Sequence, residues 1–428
     1  MRDRRWRSVP IVAAVALAAC TSSEPASHQA APGGDAGRLA ASAPDLIVGG
    51  TGAGVLALQS DTGSVLFHGP AVPALGDWSE LYTADRDGPA TELRLTHLGS
   101  KSGGATGRVR GDLAIGAVSF DGTRVALTAP SPHGADPWIP RPRTTTDIVV
   151  ANPTGIEGTE RFHLQGNFVP EAFSSDDEYL FMIKYLPAAD PVAYRVVSLE
   201  LGEGDVYPVV GRNKTWSPKM AGSRLQQVPS PRGDMLYTLY SSQPARYARG
   251  HDPSQANAGG PVAFVHTLNL ADHWAICVGL PRALWGGRSV DEAMALTPDG
   301  LDLYVVDAAR GFIADMDTGK PKVVRSSRLT LGLPGEGQVH AAMGPDGHTV
   351  MVARGGRMVA VDTRSFEVTQ RFSVAGPVSG IGWSDDGLRL YVAERGSIDV
   401  LDPETGKRVG RMGAPGLQSI DYVGTLGE

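Results

Sequence analysis

Ala293-Met294-Ala295-Leu296-Thr297-Pro298-Asp299-Gly300 is followed, two residues on, by Leu303-Tyr304-Val305-Val306. Two short apolar runs flank a four-residue turn signal, and each part has its own chemistry. Proline fixes φ, the aspartate side chain bonds its own backbone, and glycine accepts positive φ, so the chain reverses between two strands. Degenerate copies occur at Ser119-Phe120-Asp121-Gly122, Ser174-Ser175-Asp176-Asp177, Ser230-Pro231-Arg232-Gly233, Gly344-Pro345-Asp346-Gly347 and Ser384-Asp385-Asp386-Gly387. Their fourth positions are separated by 55, 56, 67, 47 and 40 residues. Apolar strands follow most copies, as in Val125-Ala126-Leu127 and Leu390-Tyr391-Val392-Ala393.

A second hairpin follows each copy, for example Met358 to Phe372 around Asp362-Thr363, and Ile398 to Met412 around Asp402-Pro403-Glu404-Thr405-Gly406. Four strands per unit at a period of 40 or more is the signature of propeller blades. The six copies supply six blades. Trp78 to Arg110 reads as a seventh, with strands around Leu81 and Leu93. Leu46 to Phe67 holds three strands and Leu417 to Val423 one; joined in a single blade, they close the ring and remove both exposed edges. The expected fold is therefore all-β, a single propeller of four-stranded blades over residues 45–428. The count is eight, with seven the alternative if a weak unit merges with its neighbour.

These motifs resemble the YVTN-type and WD-repeat-like β-propellers of bacteria, over roughly residues 45–428. The resemblance implies the fold and leaves activity open, because that superfamily includes lactonases, lyases, carriers and plain binding modules.

The N-terminus carries a different signal. Arg2 to Arg7 is a basic cluster, and Val9 to Ala19 is an apolar run too short to span a bilayer. Leu17-Ala18-Ala19-Cys20 resembles the bacterial lipobox, which implies cleavage before Cys20 and diacylglycerol attachment to its sulfur, with acylation of the new N-terminus. Several acyl chains give firm anchoring where one gives marginal binding. The expected organisation is a lipoprotein signal peptide over 1–19, a flexible Ser/Ala/Gly/Pro-rich tether over 20–44 and the propeller beyond, with the protein lipid-anchored on the extracytoplasmic side of the cell membrane.

Composition bounds the partners. The net charge is −7, and the first nineteen residues, with four arginines against Asp3, carry +3 of it. What remains is at about −10, a poor match for nonspecific nucleic-acid binding. The 54 glycines, without a Gly-X-Y period, suit a fold of many tight turns. Of the 2 cysteines, Cys277 lies in a strand-like run and reads as a small buried apolar residue; with Cys20 modified, no intrachain disulfide remains.

Long insertions mark where recognition could occur. Ala129–Thr146 and Ser241–Pro261 read as loops between the second and third strands of a blade, and Gly211–Leu225 as a link between blades. Blade topology puts such loops on one face. They carry Trp138, Arg141, Arg143, Arg212, Lys214, Trp216, Lys219, Arg224, Arg246 and Tyr247, and surfaces mixing arginine with aromatic rings are typical of recognition sites. An anionic wall polymer or an acidic protein is the expected partner; the plain alternative is that long loops simply gather surface polar residues.

The channel mouth is the other candidate. His340 sits where an inner strand enters it, with Glu292 and Gln227 near equivalent places, and the resemblance implies that lactonases and lyases use His and Glu there. One histidine falls short of the three or so ligands a metal needs, so neither metal nor cofactor is expected. Asp61-Thr62-Gly63 and Asp317-Thr318-Gly319 read as hairpin turns and not as aspartic-protease motifs. Asp85-Arg86-Asp87-Gly88 lacks the later ligands of a calcium loop. Gly50 to Gly54 has no helix behind it to cradle phosphate. The leading expectation is a non-enzymatic binding scaffold, with a lactonase-like hydrolase or lyase acting through His340 and Glu292 as the alternative.

Overall fold

Every turn signal sits between the inner and second strands of a four-stranded antiparallel sheet, and there are 8 such sheets. The computed structural model describes residues 44–100, 104–130, 139–153, 155–212, 219–248 and 260–426. The leader, Cys20, Trp138, Lys214 and Trp216 lie outside them.

Turns that begin with serine or threonine share one hydrogen-bonding scheme, and at Gly344, which has no hydroxyl, Asp346 accepts from the His348 N–H, the Thr349 N–H and the Thr349 hydroxyl instead. Ser119 Oγ donates to Asp121 Oδ1 at 2.7 Å and accepts the Arg124 N–H at 3.0 Å. Thr297 with Asp299 and Asp302, and Ser384 with Asp386 and Arg389, repeat it. The copy at Ser230 has arginine in the aspartate position, and Asp234 supplies the carboxylate instead, at 2.6 Å. The fourth residue has positive φ throughout, from 69° at Gly347 to 74° at Gly300, and at Asp177 a non-glycine takes 58°. Asx-type bonding makes αL tolerable for Asp where most side chains would be strained.

Blades follow in chain order around the ring. Blade 2 begins at Val72–Ala74, blade 3 at Ala114–Val118, blade 4 at Asn167–Phe173 and blade 5 at Ser223–Pro229. Blades 6, 7 and 8 begin at Glu292–Leu296, Val339–Met343 and Gly380–Trp383. Each of these is an inner strand, and neighbouring inner strands contact one another around the channel. Blade 1 is built from both ends of the domain. Asp45–Thr51, Gly54–Gln59 and Val65–Gly69 form its outer three strands, and Tyr422–Thr425 is its inner one. Ile47 pairs with Val423 and Asp45 with Thr425. The eight-blade count and the shared closing blade are thus as the sequence implies.

The core is not a central ball. It divides into seams between adjacent blades, because a sheet standing edge-on to the axis turns alternate side chains toward its two neighbours. In blade 6, Leu303 and Val305 pack toward blade 5, while Tyr304 and Val306 pack toward blade 7. Second strands are therefore buried on both sides and read as unbroken apolar runs, as parallel strands covered on both faces do. Cys277 lies in the seam between blades 4 and 5, with its Sγ 3.6 Å from Met220 Sδ, and burial pushes its thiol pKa up.

Tyrosines on second strands cross the seams near the turns. Tyr237 reaches Thr318 of blade 6, and Tyr304 reaches Thr363 of blade 7. At the closure Tyr391 OH donates to Asp45 Oδ2 at 2.5 Å, and Arg389 lies 3.3 Å from the same oxygen. Burial raises the Asp45 pKa, and the Tyr391 bond works against that rise. Tyr391→Phe leaves a buried carboxylate short of a donor, at a cost of about 1–3 kcal/mol. Urea unfolding should show a lowered midpoint at unchanged m-value; an unaltered midpoint would mean the closure does not depend on this bond.

Candidate functional site

Both ends of the domain, and all the turn signals, lie on one face of the ring; the long insertions enter from the other. The strand order requires it, since inner strands run toward the signal turns while second-to-third loops and inter-blade links emerge at the opposite end. We call these the turn face and the insertion face.

Two polar clusters are built on inner strands and the links that lead into them. The first spans blades 3 to 5. Arg224 donates to both oxygens of Glu171, at 2.8 and 3.0 Å, and Gln227 Nε2 donates to Glu171 Oε1 at 2.5 Å. Burial works against the Arg224 charge, and the Glu171 carboxylate more than restores it, holding the guanidinium above its usual pKa. Behind the pair, Tyr194 OH donates to Gly222 O at 3.1 Å, and the Tyr240 and Phe264 rings stack 4.9 Å apart. Arg143 is half-buried; it donates to Asn167 Oδ1 at 3.0 Å and to the Phe168 carbonyl, and burial lowers its pKa.

The second cluster lies where the link from blade 5 reaches blade 6. Glu292 and Asp307 face each other across the first two strands. Both point to the same side as Met294 and Val305, toward blade 5. Arg310 donates to Asp307 from its backbone at 2.8 Å and from Nη1 at 3.2 Å. Glu292 is 1% exposed, and neither carboxylate oxygen has a hydrogen-bond partner among the described residues. Burial, reinforced by Asp307, raises its pKa to about 8. A Cβ on Gly287 would stand 2.9 Å from Glu292 Oε1 and 3.1 Å from Asp307 Oδ2, so a glycine is needed where the link seals the pair. Asp291, on the other side of the strand, is clasped by Arg288 at 2.9 Å and by Arg354 of blade 7 at 2.5 Å.

The residues proposed for channel chemistry do not converge. His340 shares a side of its strand with Ala342, and its cross-strand partner is Ala353, both in the seam with blade 8. Burial lowers its pKa to about 4, and its Nε2 has no hydrogen-bond partner among the described residues. Glu292 faces blade 5. The two therefore point away from each other on different blades, and the Glu292 carboxyl is sealed from solvent. Among the described residues no group of three or more His, Cys, Asp or Glu is arranged to hold a metal.

The insertion-loop residues divide. Arg141, Lys219 and Arg246 are exposed on the insertion face, and Arg246 stacks 5.0 Å over the half-buried Tyr247 ring. Arg143 and Arg224 are instead committed to internal partners. Arg212 is not on this face. The chain leaves blade 4 through Val210, which bridges to Trp274 on the outer strand of blade 5. That carries Arg212 over the Trp274 ring, 5.3 Å away, with Nη1 3.4 Å from Gly319 O in a turn of blade 6 on the turn face. Sequence reasoning also passed over exposed arginines outside the long insertions: Arg108, Arg282, Arg357 and Arg395 all lie at insertion-face ends of strands or in links. Their positions within or just after outer strands, or at second-to-third turns, were the available signal.

No family model matches the chain, and no curated protein matches it. Solved structures similar to it are propellers at low identity. AztD of Citrobacter koseri aligns with a TM-score of 0.50 at 14% identity, covering 89% of this chain and 96% of that one. The dihydro-heme d1 dehydrogenase NirN aligns at 0.48 and 15%, covering 90% and 76%. A putative 6-phosphogluconolactonase of Bacteroides fragilis aligns at 0.43 and 12%, covering 89% and 98%. Likeness at this level concerns the fold alone, since one architecture hosts many functions.

The buried Glu292 has a pH signature. It keeps its proton to about pH 8 in the fold, against 4.5 for the free group. Its stabilising contribution is complete below the lower value and is lost as pH rises through the higher one. Wild type should therefore lose stability relative to Glu292→Gln between pH 5 and 9 in urea titrations. A pH-independent offset between the two would show that the carboxyl is ionised throughout.

Proposed function

We propose that this protein is a lipid-anchored, extracytoplasmic, non-enzymatic scaffold that binds an anionic partner, a wall polymer or an acidic protein, through its insertion face. The observation that carries the reading is a segregation of charge. Exposed Arg141, Arg246, Arg282, Arg357 and Arg395 stand on the insertion face, where basic side chains outnumber acidic ones among the described residues, while Arg108 there pairs with Asp87 at 2.8 Å. Exposed Asp61, Glu203, Asp272, Asp299, Asp346 and Asp385 stand on the turn face, where the balance is reversed.

The two charges have different origins. Part of the turn-face charge is demanded by the turns themselves, where Asp121, Asp299, Asp346 and Asp386 accept the hydrogen bonds that hold the chain reversal. No comparable turn scheme calls for arginine on the insertion face, in a chain whose net charge is −7. Field segregation of this kind steers a partner of opposite sign and orients it on arrival. The anchor rests on Cys20 and its lipobox. Asp45, the start of the first strand, lies at the turn face, so a tether over 20–44 joins the disc there and leaves the insertion face directed away from the point of attachment.

Membrane fractionation tests the anchor, with Cys20→Ser expected in the soluble fraction. Titration with poly(glycerol phosphate) and with poly-glutamate tests the face. Combined Arg141→Glu, Lys219→Glu and Arg246→Glu should weaken binding at least tenfold and flatten its dependence on salt. Unchanged affinity and slope would remove the insertion face as the binding surface while leaving the anchor untouched.

A further inference from the structure

The turn face carries a groove at the seam between blades 5 and 6, and another between blades 6 and 7, built alike. Each runs between consecutive turn signals, and each is lined by a second-strand tyrosine and by the threonine it reaches on the next blade: Tyr237 with Thr318, then Tyr304 with Thr363. The first groove already holds a cation of this chain. Arg212 lies over Trp274 and donates toward Gly319 O, with Asp272 and Asp299 in the lining. Aromatic face, turn carbonyl and carboxylates together form the environment that suits a guanidinium.

The second groove is a cavity of about 450 Å³ that, among the described residues, no side chain from another seam enters in this way. Asp299, Asp302 and Asp346 line it. Its own Arg325 is held back against the wall, 3.6 Å over the Phe366 ring, donating to Arg364 O at 2.5 Å and to the Thr363 carbonyl. Asp315 stands directly across the sheet from Tyr304 and so projects to the groove's side of the blade. It is 7% exposed, and its Oδ1 has no hydrogen-bond partner among the described residues. Arg325, the nearest cation, is 3.8 Å from the other oxygen. A buried carboxylate oxygen without a donor is costly; Asp315 stands next to Tyr304 and Arg325 of the lining and so adds an acidic group behind the groove wall.

We propose that the groove between blades 6 and 7 receives an arginine side chain from a basic polypeptide segment, in the manner in which the neighbouring groove receives Arg212. This surface is separate from the insertion face and takes a partner of opposite charge. A partner arginine would enter between the turns at Thr297 and Gly344, with Asp299 and Asp346 at the rim and Asp302 deeper.

The test uses the full chain and a short peptide of alternating arginine and glycine, followed by fluorescence polarisation. Saturable binding at one site is expected. Asp302→Asn should weaken it at least tenfold. Arg364→Ser, which removes an exposed rim cation, should tighten it several-fold, a gain that misfolding cannot mimic. Glu203→Gln, on the same face but outside the groove, should stay within twofold of wild type. Equal weakening by Asp302→Asn and Glu203→Gln would mean diffuse attraction to an acidic face and would overturn the proposal. So would equal binding of a glutamate–glycine peptide, or no effect of Arg364→Ser.

Discussion

The packing of one four-stranded sheet against the next is the interaction on which everything else in this molecule depends. Each blade buries both of its faces, and neither face has any partner except a neighbouring blade. A blade at an open end would leave one apolar face and one strand edge in water. That constraint explains why the two ends of the domain meet in blade 1, and why the closing contact is reinforced by Tyr391, Asp45 and Arg389. Local seams also explain how degenerate units coexist: the turn at Ser230 can borrow Asp234, and the one at Ser174 can use Asp177 at positive φ, without disturbing blades further round.

The fold was legible because its determinants are local. Turn signals need only four to six adjacent residues, and apolar strands beside them need only the reader's count. The site was less legible because its determinants are distant. Nothing in the stretch around Arg224 announces Glu171 on the previous blade, nor does the stretch around Arg143 announce Asn167. Arg212 sits in a segment that reads as a loop of the insertion face, yet Val210 pairs with blade 5 and draws it to the turn face. His340 and Glu292 stand near the starts of their inner strands. Their side chains point into the seams with neighbouring blades, because alternate side chains of an edge-on sheet face its two neighbours.

Electrostatics then follows from construction. Aspartates that hold the turns add negative charge to one face as a by-product of folding, and Arg212 lies in a groove between two of those turns. On the opposite face some arginines, such as Arg143 and Arg224, are tied to internal partners, while Arg141, Arg246, Arg357 and Arg395 stand exposed. A disc with two faces of opposite sign, its domain ends on one of them, has a built-in direction.

That polarity can be measured directly by mapping arginine reactivity with a dicarbonyl reagent, in the presence and absence of poly-glutamate. The account predicts that Arg141, Arg246, Arg282, Arg357 and Arg395 become protected while Arg232 and Arg364, on the turn face, stay as reactive as before. Protection spread evenly over both faces, or confined to Arg232 and Arg364, would contradict it.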